Sequence, residues 1–437
     1  MKILNITILS MLIHFASWAD EGMLIPSLIK AFESDMKAKG MKLSADDIYS
    51  VNHASIKDAI FQFGGGCTSE LVSNKGLLLT NHHCGYSQIQ SHSSLENNYI
   101  ENGYWAKNLG EELANPGLTA MRIVRIEDVT QKINDGFAID QIVKEAVEGT
   151  HYEGEVKAFN YGNDYYLMVK EIFWDVRFVG TPPNSIGKFG GDTDNWVWPR
   201  HTGDFSVFRI YANKDNQPAA YSEDNVPYTP LHYLPISMKE RQKGDFTMVY
   251  GFPGRTEQHV SSSYLNQIIT KERPARIRMR DLSLSVIDKA MKNSELVKIQ
   301  YASKQARISN AWKKWIGQID GLKRLDAVAL KLNSEAEFTE RALSKKEWKV
   351  KYGSIVEQLN TLSDESFELE FKYAMGVEYF YYAGPEYFKL IRSTNDLISN
   401  YEKYEKNGEL EEKKNKLIKG ADGFFKNYNQ DIDTEIF

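Results

Sequence analysis

The uneven distribution of proline and glycine constrains this 437-residue chain more than any other feature. Ten of the 12 prolines and 22 of the 30 glycines precede residue 256. Proline removes a backbone donor and glycine admits turns that other residues resist, so a stretch rich in both cannot be built from long helices. Between the breaks lie short β-prone runs at 120–129, 165–179, 205–212 and 246–251. Two helical patterns intrude, at 26–39 and 139–148. From about residue 256 the chain turns Lys/Glu/Leu/Ala-rich, with Leu265, Ile268 and Ile269 on one helical face and Leu284 and Ile287 on another. Pro274 and Pro385 alone interrupt this second part, and Ala383-Gly384-Pro385 reads as a helix stop and restart. The expectation is mainly β plus α, with a β-barrel or sandwich over residues 20–255 and a helical domain over 256–437. The charge runs of that domain read as solvated scaffold rather than ligand sites.

Charge narrows the partners. Charged residues make up 26% of the chain and sum to −6, so no basic excess points to nucleic acid. The N-terminus has the pattern of a cleaved signal peptide. Lys2 precedes a mostly apolar run over 3–15, and Ser17-Trp18-Ala19 places small residues for cleavage after Ala19. No later apolar run approaches the roughly 18 residues that a membrane span requires. The expected mature protein is exported, in the periplasm or at the cell surface or beyond, with no membrane span. Its exposed helical faces leave room for a homodimer.

Export permits the only two cysteines, Cys67 and Cys84, to pair. Residues 70–73 and 77–80 read as strands, and Asn74-Lys75-Gly76 between them as a hairpin loop with Gly76 available for positive φ. Such a hairpin returns Cys84 towards Cys67, which makes a disulfide across its base geometrically natural.

His83 directly precedes Cys84 and follows an apolar strand ending in Thr80 and Asn81. This arrangement resembles the histidine loop of chymotrypsin-like peptidases, where the imidazole serves as general base at the edge of a closed hairpin. A histidine can take a nucleophile's proton and return it to a leaving amine, best when a carboxylate fixes its tautomer. His83 is a better candidate than His82. The carboxylate candidate is Asp204, in Thr202-Gly203-Asp204-Phe205-Ser206, where a loop enters the strand-like run 205–212. Alone, an Asp beside Gly is usually a turn residue. Paired with the histidine motif, its position in the order His then Asp fits the same chemistry.

The stretches 63–90, 192–212 and 245–256, together with Ser50-Val51-Asn52-His53-Ala54-Ser55, resemble the dipeptidyl-peptidase 7/11 family of bacterial serine peptidases. The resemblance runs over nearly all of residues 20–255 and continues less specifically through the helical part. It implies a chymotrypsin-like double β-barrel, here incomplete, with a large inserted α-helical domain. It further implies release of dipeptides from the N-termini of oligopeptides through an acyl-enzyme, with no cofactor. By motif matching, His83 is the general base and Asp204 orients it. Asn195 and Trp196 fall where the family holds the substrate's free α-amino group.

The nucleophile does not follow. The family carries its serine on a Gly-rich loop far downstream, and no such loop is found in this chain. Ser354 lies in a Lys-rich helical setting, Ser261-Ser262-Ser263 has no adjacent glycine, and Ser185 precedes the Asp motif. The expectation is a serine-type dipeptidyl-peptidase by descent that is inactive as this chain. One alternative is a non-catalytic peptide-binding remnant of the family. Another is a metal site of Cys67, His82, His83 and Cys84, although this spacing lacks a zinc-site pattern.

Overall fold

The computed structural model describes residues 23–191, 195–254 and 259–437, and the expected signal segment 1–19 lies outside them. Among the described residues, eleven strands make one antiparallel sheet: β1 (Ile60–Phe63), β2 (Cys67–Leu71), β3 (Leu77–Thr80), β4 (Tyr104–Trp105), β5 (Leu113–Ala114), β6 (Ala120–Asp128), β7 (Glu153–Phe159), β8 (Asp164–Phe173), β9 (Asp175–Thr181), β10 (Ser206–Ala212) and β11 (Val226–Pro227). The main pairing path runs β4-β9-β10-β3-β2-β1-β6-β8-β7. Its two sides meet in the chain itself, because β8 ends at Phe173 and β9 begins at Asp175 with only Trp174 between. The sheet therefore curls until one bent strand serves both sides. Among the described residues this is one barrel, in keeping with the incomplete double barrel that the resemblance implies.

The barrel closes because its strands alternate towards a common interior. Every second residue of β8 from Leu167 to Phe173 is buried, as the two-residue period of a half-buried strand requires. Phe61, Phe63, Leu71, Leu78, Phe178 and Phe208 fill the interior, each essentially without exposure. Burying one such phenylalanine contributes roughly 2–3 kcal/mol. At the β2–β3 hairpin Gly76 has φ +65, and a Cβ there would stand 2.6 Å from the Ile210 carbonyl. Outside the apolar interior, Arg122 bridges Asp58 at 2.8 Å and Glu171 at 2.6 Å, all three buried. Lys57 adds a second cation on Asp58 at 2.6 Å.

The helices that matter most are α1 (His82–Ser91), α2 (Asn184–Gly187), α3 (Arg273–Asn293), α4 (Glu295–Arg324), α5 (Ala327–Leu343) and α6 (Ile355–Val377). α3 and α4 pack through Leu284, Ile287, Val297, Tyr301 and Ile308. α4 also reaches the barrel, placing Ile299 and Ala302 in the same core as Phe208. Gln90 of α1 fixes this contact, donating to Gln300 O at 2.8 Å and accepting from Ser303 N at 2.8 Å. No helix among the described residues is long and apolar enough to cross a membrane.

Several local expectations change. Residues 246–251 form no strand; Phe246 and Met248 instead pack on a small core of Ile29, Met41, Ala45 and Ile48. The run 165–179 is two strands rather than one, divided at Trp174 where the barrel bends. The strand expected at 70–73 lies at Cys67–Leu71, where all four residues of β1 find partners. The 26–39 helix begins as a 3-10 segment, Pro26–Phe32, before the α-helix Glu33–Ala38.

Candidate active site

The pairing of β3 with β10 builds the site. Thr80 faces Ser206 in an antiparallel register, so two residues further on the chain brings 204 alongside 82 and 83. At that point α1 begins, and its first N–H groups lack helical partners. Asn81 occupies the N-cap without a side-chain cap bond, and Asp204 supplies the missing acceptor from 121 residues away. Its Oδ1 accepts the His83 backbone N–H at 3.0 Å, and its Oδ2 lies 2.8 Å from His83 Nδ1. A carboxylate at a helix N-terminus is favoured by the helix dipole as well as by the hydrogen bond.

Further bonds hold the carboxylate in place. Asn81 Nδ2 donates to Asp204 O at 3.2 Å and to Oδ2 at 3.4 Å, and Ser206 Oγ donates to Asn81 O at 2.9 Å. Gly85 lets α1 approach this strand, since a Cβ there would sit 2.6 Å from Ser206 Oγ. Burial pushes the Asp204 carboxyl up, but the hydrogen bonds and charge of His83 outweigh it and hold the group below the usual aspartate value. An ionised Asp204 fixes the proton of neutral His83 on Nδ1. His83 Nε2 then carries the lone pair, and no described residue hydrogen-bonds to it. The side chain is 64% exposed against 16% for Asp204, so the free nitrogen opens outward from a guarded carboxylate.

His82 shows the opposite environment. It is buried, its Nε2 has no hydrogen-bond partner among the described residues, and its ring packs 5.3 Å from Tyr86. Burial pushes its pKa down to about 4, so it stays neutral near pH 7. The geometry thus separates the two neighbouring histidines into one structural and one accessible ring.

Cys67 and Cys84 are joined as a disulfide, and their sulfurs lie within 4.8 Å of a His83 ring nitrogen. The bond ties the start of β2 to the first turn of α1. It also engages both sulfurs that the alternative metal site would need as thiolates.

Asn195 and Trp196 stand on the loop before Asp204, and both turn to the helical domain. Asn195 Nδ2 donates to Asn310 Oδ1 at 3.0 Å, and Trp196 Nε1 donates to Asn310 Oδ1 and O, each at 3.0 Å. Trp196 holds φ at +59, and its ring is partly exposed with Lys314 Nζ 5.6 Å away. With Nδ2 committed to Asn310, Asn195 Oδ1 has no hydrogen-bond partner among the described residues, and such an acceptor is the group that an ammonium requires. Sequence reasoning missed Asn310. It sits in α4, in a region read as scaffold, and no local pattern distinguishes it there.

Four of the serines considered as nucleophiles, Ser261, Ser262, Ser263 and Ser354, are engaged elsewhere. Ser261 accepts from Tyr264 N as a helix cap. Ser262 bonds Glu335, and Ser263 bonds Asp364. Ser354 accepts from Gln358 Nε2 at 2.7 Å. No serine hydroxyl among the described residues hydrogen-bonds to His83.

Comparison with known proteins bears on the whole chain. The sequence pattern of the family described as Peptidase S46 matches residues 19–437. An Asp/Glu-specific dipeptidyl-peptidase of Flavobacterium psychrophilum is 45% identical over 442 residues, covering 95% of this chain and 60% of that protein. A dipeptidyl-peptidase 7 of Capnocytophaga gingivalis is 42% identical over 364 residues, 80% of this chain and 51% of the relative. The crystal structure of Porphyromonas endodontalis DPP11 in complex with substrate superposes with a TM-score of 0.78 at 34% identity, covering 95% of this chain and 62% of that one. The same protein in complex with the dipeptide Arg-Asp gives a TM-score of 0.76 at 39% identity over 83% of this chain and 54% of that one. The chain thus spans about three fifths of the length of the curated relatives that match it over nearly its whole extent.

Proposed function

The chain belongs to the peptidase S46 family, and on that footing we propose that it carries the general-base and amine-binding parts of a serine-type dipeptidyl-peptidase. The observation that carries the proposal is the His83–Asp204 pair with Nε2 left open. In the proposed reaction His83 Nε2 takes the proton of a serine hydroxyl as that oxygen attacks the carbonyl of the second residue of an oligopeptide. The proton then passes to the leaving amine, and water repeats the cycle on the acyl-enzyme. Asp204 keeps Nδ1 protonated and stabilises the imidazolium. Asn195 Oδ1, with the Trp196 loop, accepts the substrate's free ammonium and so sets the cut two residues in.

The serine itself is proposed to be absent from this chain, which alone binds such peptides without cleaving them. The engagement of Ser261, Ser262, Ser263 and Ser354 and the lack, among the described residues, of a serine hydroxyl bonded to His83 support this reading. Export to an oxidising compartment is part of the proposal; the N-terminal pattern and the disulfide support it.

The test is calorimetric binding of a dipeptide with a free N-terminus and of its N-acetyl form, beside an assay of dipeptidyl-arylamide cleavage. Preference for the free amine without turnover is expected. Turnover that His83→Ala abolishes would place a working nucleophile within these residues and overturn the inactivity. Equal or no binding of both dipeptides would sink the amine site.

A further inference from the structure

α6 ends by passing into a π-helical turn, Glu378–Ala383, and the first residue of that turn is a fully buried glutamate. Its charge is met by two arginines of α3. Arg276 Nε donates to Glu378 Oε2 at 2.9 Å, and Arg280 Nε stands 2.6 Å from Oε1, an ion pair whose angle is not that of a hydrogen bond. Both guanidinium groups also lie over the ring of Trp315, at 4.3 and 4.5 Å. A buried ion pair holds helices together no better than apolar side chains of the same volume, because desolvation offsets its attraction. What it adds is a donor with a fixed direction.

Arg280 uses that direction on α4. Its remaining N–H groups reach across the helix pair, with NH1 donating to Ile308 O at 2.8 Å and to Arg307 O at 3.3 Å. Carbonyls inside a helix already accept from the residue four ahead, so this is a second, external grip on one turn. On the next turn Trp312 Nε1 donates at 2.6 Å to Oδ1 of Asp281, the residue beside Arg280. Asn310 lies between the two grips. Among the described residues, the hydrogen bonds made by residues 195–201 go to Asn310 and to nothing else.

We propose that Arg280, held by Glu378, is a positioning residue for recognition of a peptide's free N-terminus, acting by fixing the α4 turn that carries Asn310 and hence Asn195 and Trp196. This rests on the amine-binding reading above. The π-helical turn is consistent with it, since such turns are kept where a local distortion places a needed group. The line of contact runs Glu378, Arg280, the Ile308 carbonyl, Asn310, then the loop, and none of the first three touches the ligand.

The test uses the paired replacement Arg280→Met with Glu378→Leu, which removes one charge of each sign, keeps the volume and leaves Arg276 paired with Glu272 at 2.9 Å, so that folding survives. Two quantities are read: the ratio of affinities for a free and an N-acetylated dipeptide, and the Trp196 indole N–H resonance, identified by its loss in Trp196→Phe. The expected outcome is a tenfold or greater fall in the ratio. The indole signal should shift and exchange faster with solvent, with melting near that of the parent. Arg280→Lys, which keeps charge without the fork, should also lower the ratio. An unchanged indole signal overturns the positioning role whatever the binding data say. A parent chain that does not prefer the free amine overturns the functional reading even if the indole signal moves.

Discussion

The two halves of the candidate site are held in different ways. His83 and Asp204 are fixed within the barrel: a strand register sets them side by side, a disulfide pins the helix start, and a carboxylate caps it. Asn195 and Trp196 stand on a loop with no ladder of its own and take their order from Asn310 in the other part of the molecule. The first half is a product of the sheet. The second exists only while α4 stays docked. Damage to the barrel should therefore disturb both halves, whereas damage to α4 should spare the His83–Asp204 pair.

The sharpest break of this contrast is expected from Arg122→Ala. It leaves Asp58 and Glu171 buried without their shared cation, which costs about 3–5 kcal/mol. Urea unfolding should show that loss as a lower midpoint with little change in slope. Next is replacement of Cys67 and Cys84 by serine. The bond spans a separation of 17 residues, and losing it should cost roughly 3 kcal/mol and loosen His83 before Trp196. Imidazole NMR signals beside indole signals would read the order.

The third prediction uses pH to probe the buried histidine, His82. Burial holds the folded pKa of His82 down to about 4 against the ordinary histidine value of 6.5, so the unfolded chain binds a proton that the fold refuses. Stability should fall as pH drops through the window from 6.5 to 4, by about 2 kcal/mol between pH 7 and pH 5. His82→Gln should flatten that slope in unfolding curves. Asp204 acts lower: its folded pKa is depressed, so its contribution is present above the unfolded value and disappears as pH falls through the folded one. The smallest effect sharpens the other half. Asn310→Ala should cost about 1 kcal/mol or less of global stability, yet speed protease nicking within residues 195–201. A protected loop in that variant would show that it has other supports.

The sequence revealed the barrel half because its signals are local. Gly76 marks a turn, Cys84 follows His83, and Asp204 sits at a strand start, each legible within a few residues. Asn310 was illegible because its role depends on how α4 docks, and an asparagine among Lys, Trp and Arg looks like any exposed helical position. The curl of the sheet was hidden for a related reason. Residues 165–179 are uniformly β-prone, and nothing in them announces that Trp174 divides a strand serving two neighbours. Residues 246–251 were misread in the reverse sense, since their apolar alternation meets a small helical core rather than another strand.

The bend at Trp174 also bears on the order in which the molecule can assemble. Since β8 and β9 are consecutive, joining the two sides of the barrel there closes no loop and loses almost no chain entropy. The distant partnership is instead Leu77–Thr80 with Ser206–Arg209, whose Thr80 and Ser206 are separated by more than a hundred residues. Contacts of that range slow folding, so the ladder that brings Asp204 to His83 is expected to be the late step. Pulse-labelled hydrogen exchange should then find the amides of Leu78 and Phe208 among the last protected, with the His83–Asp204 pair forming only as the barrel completes.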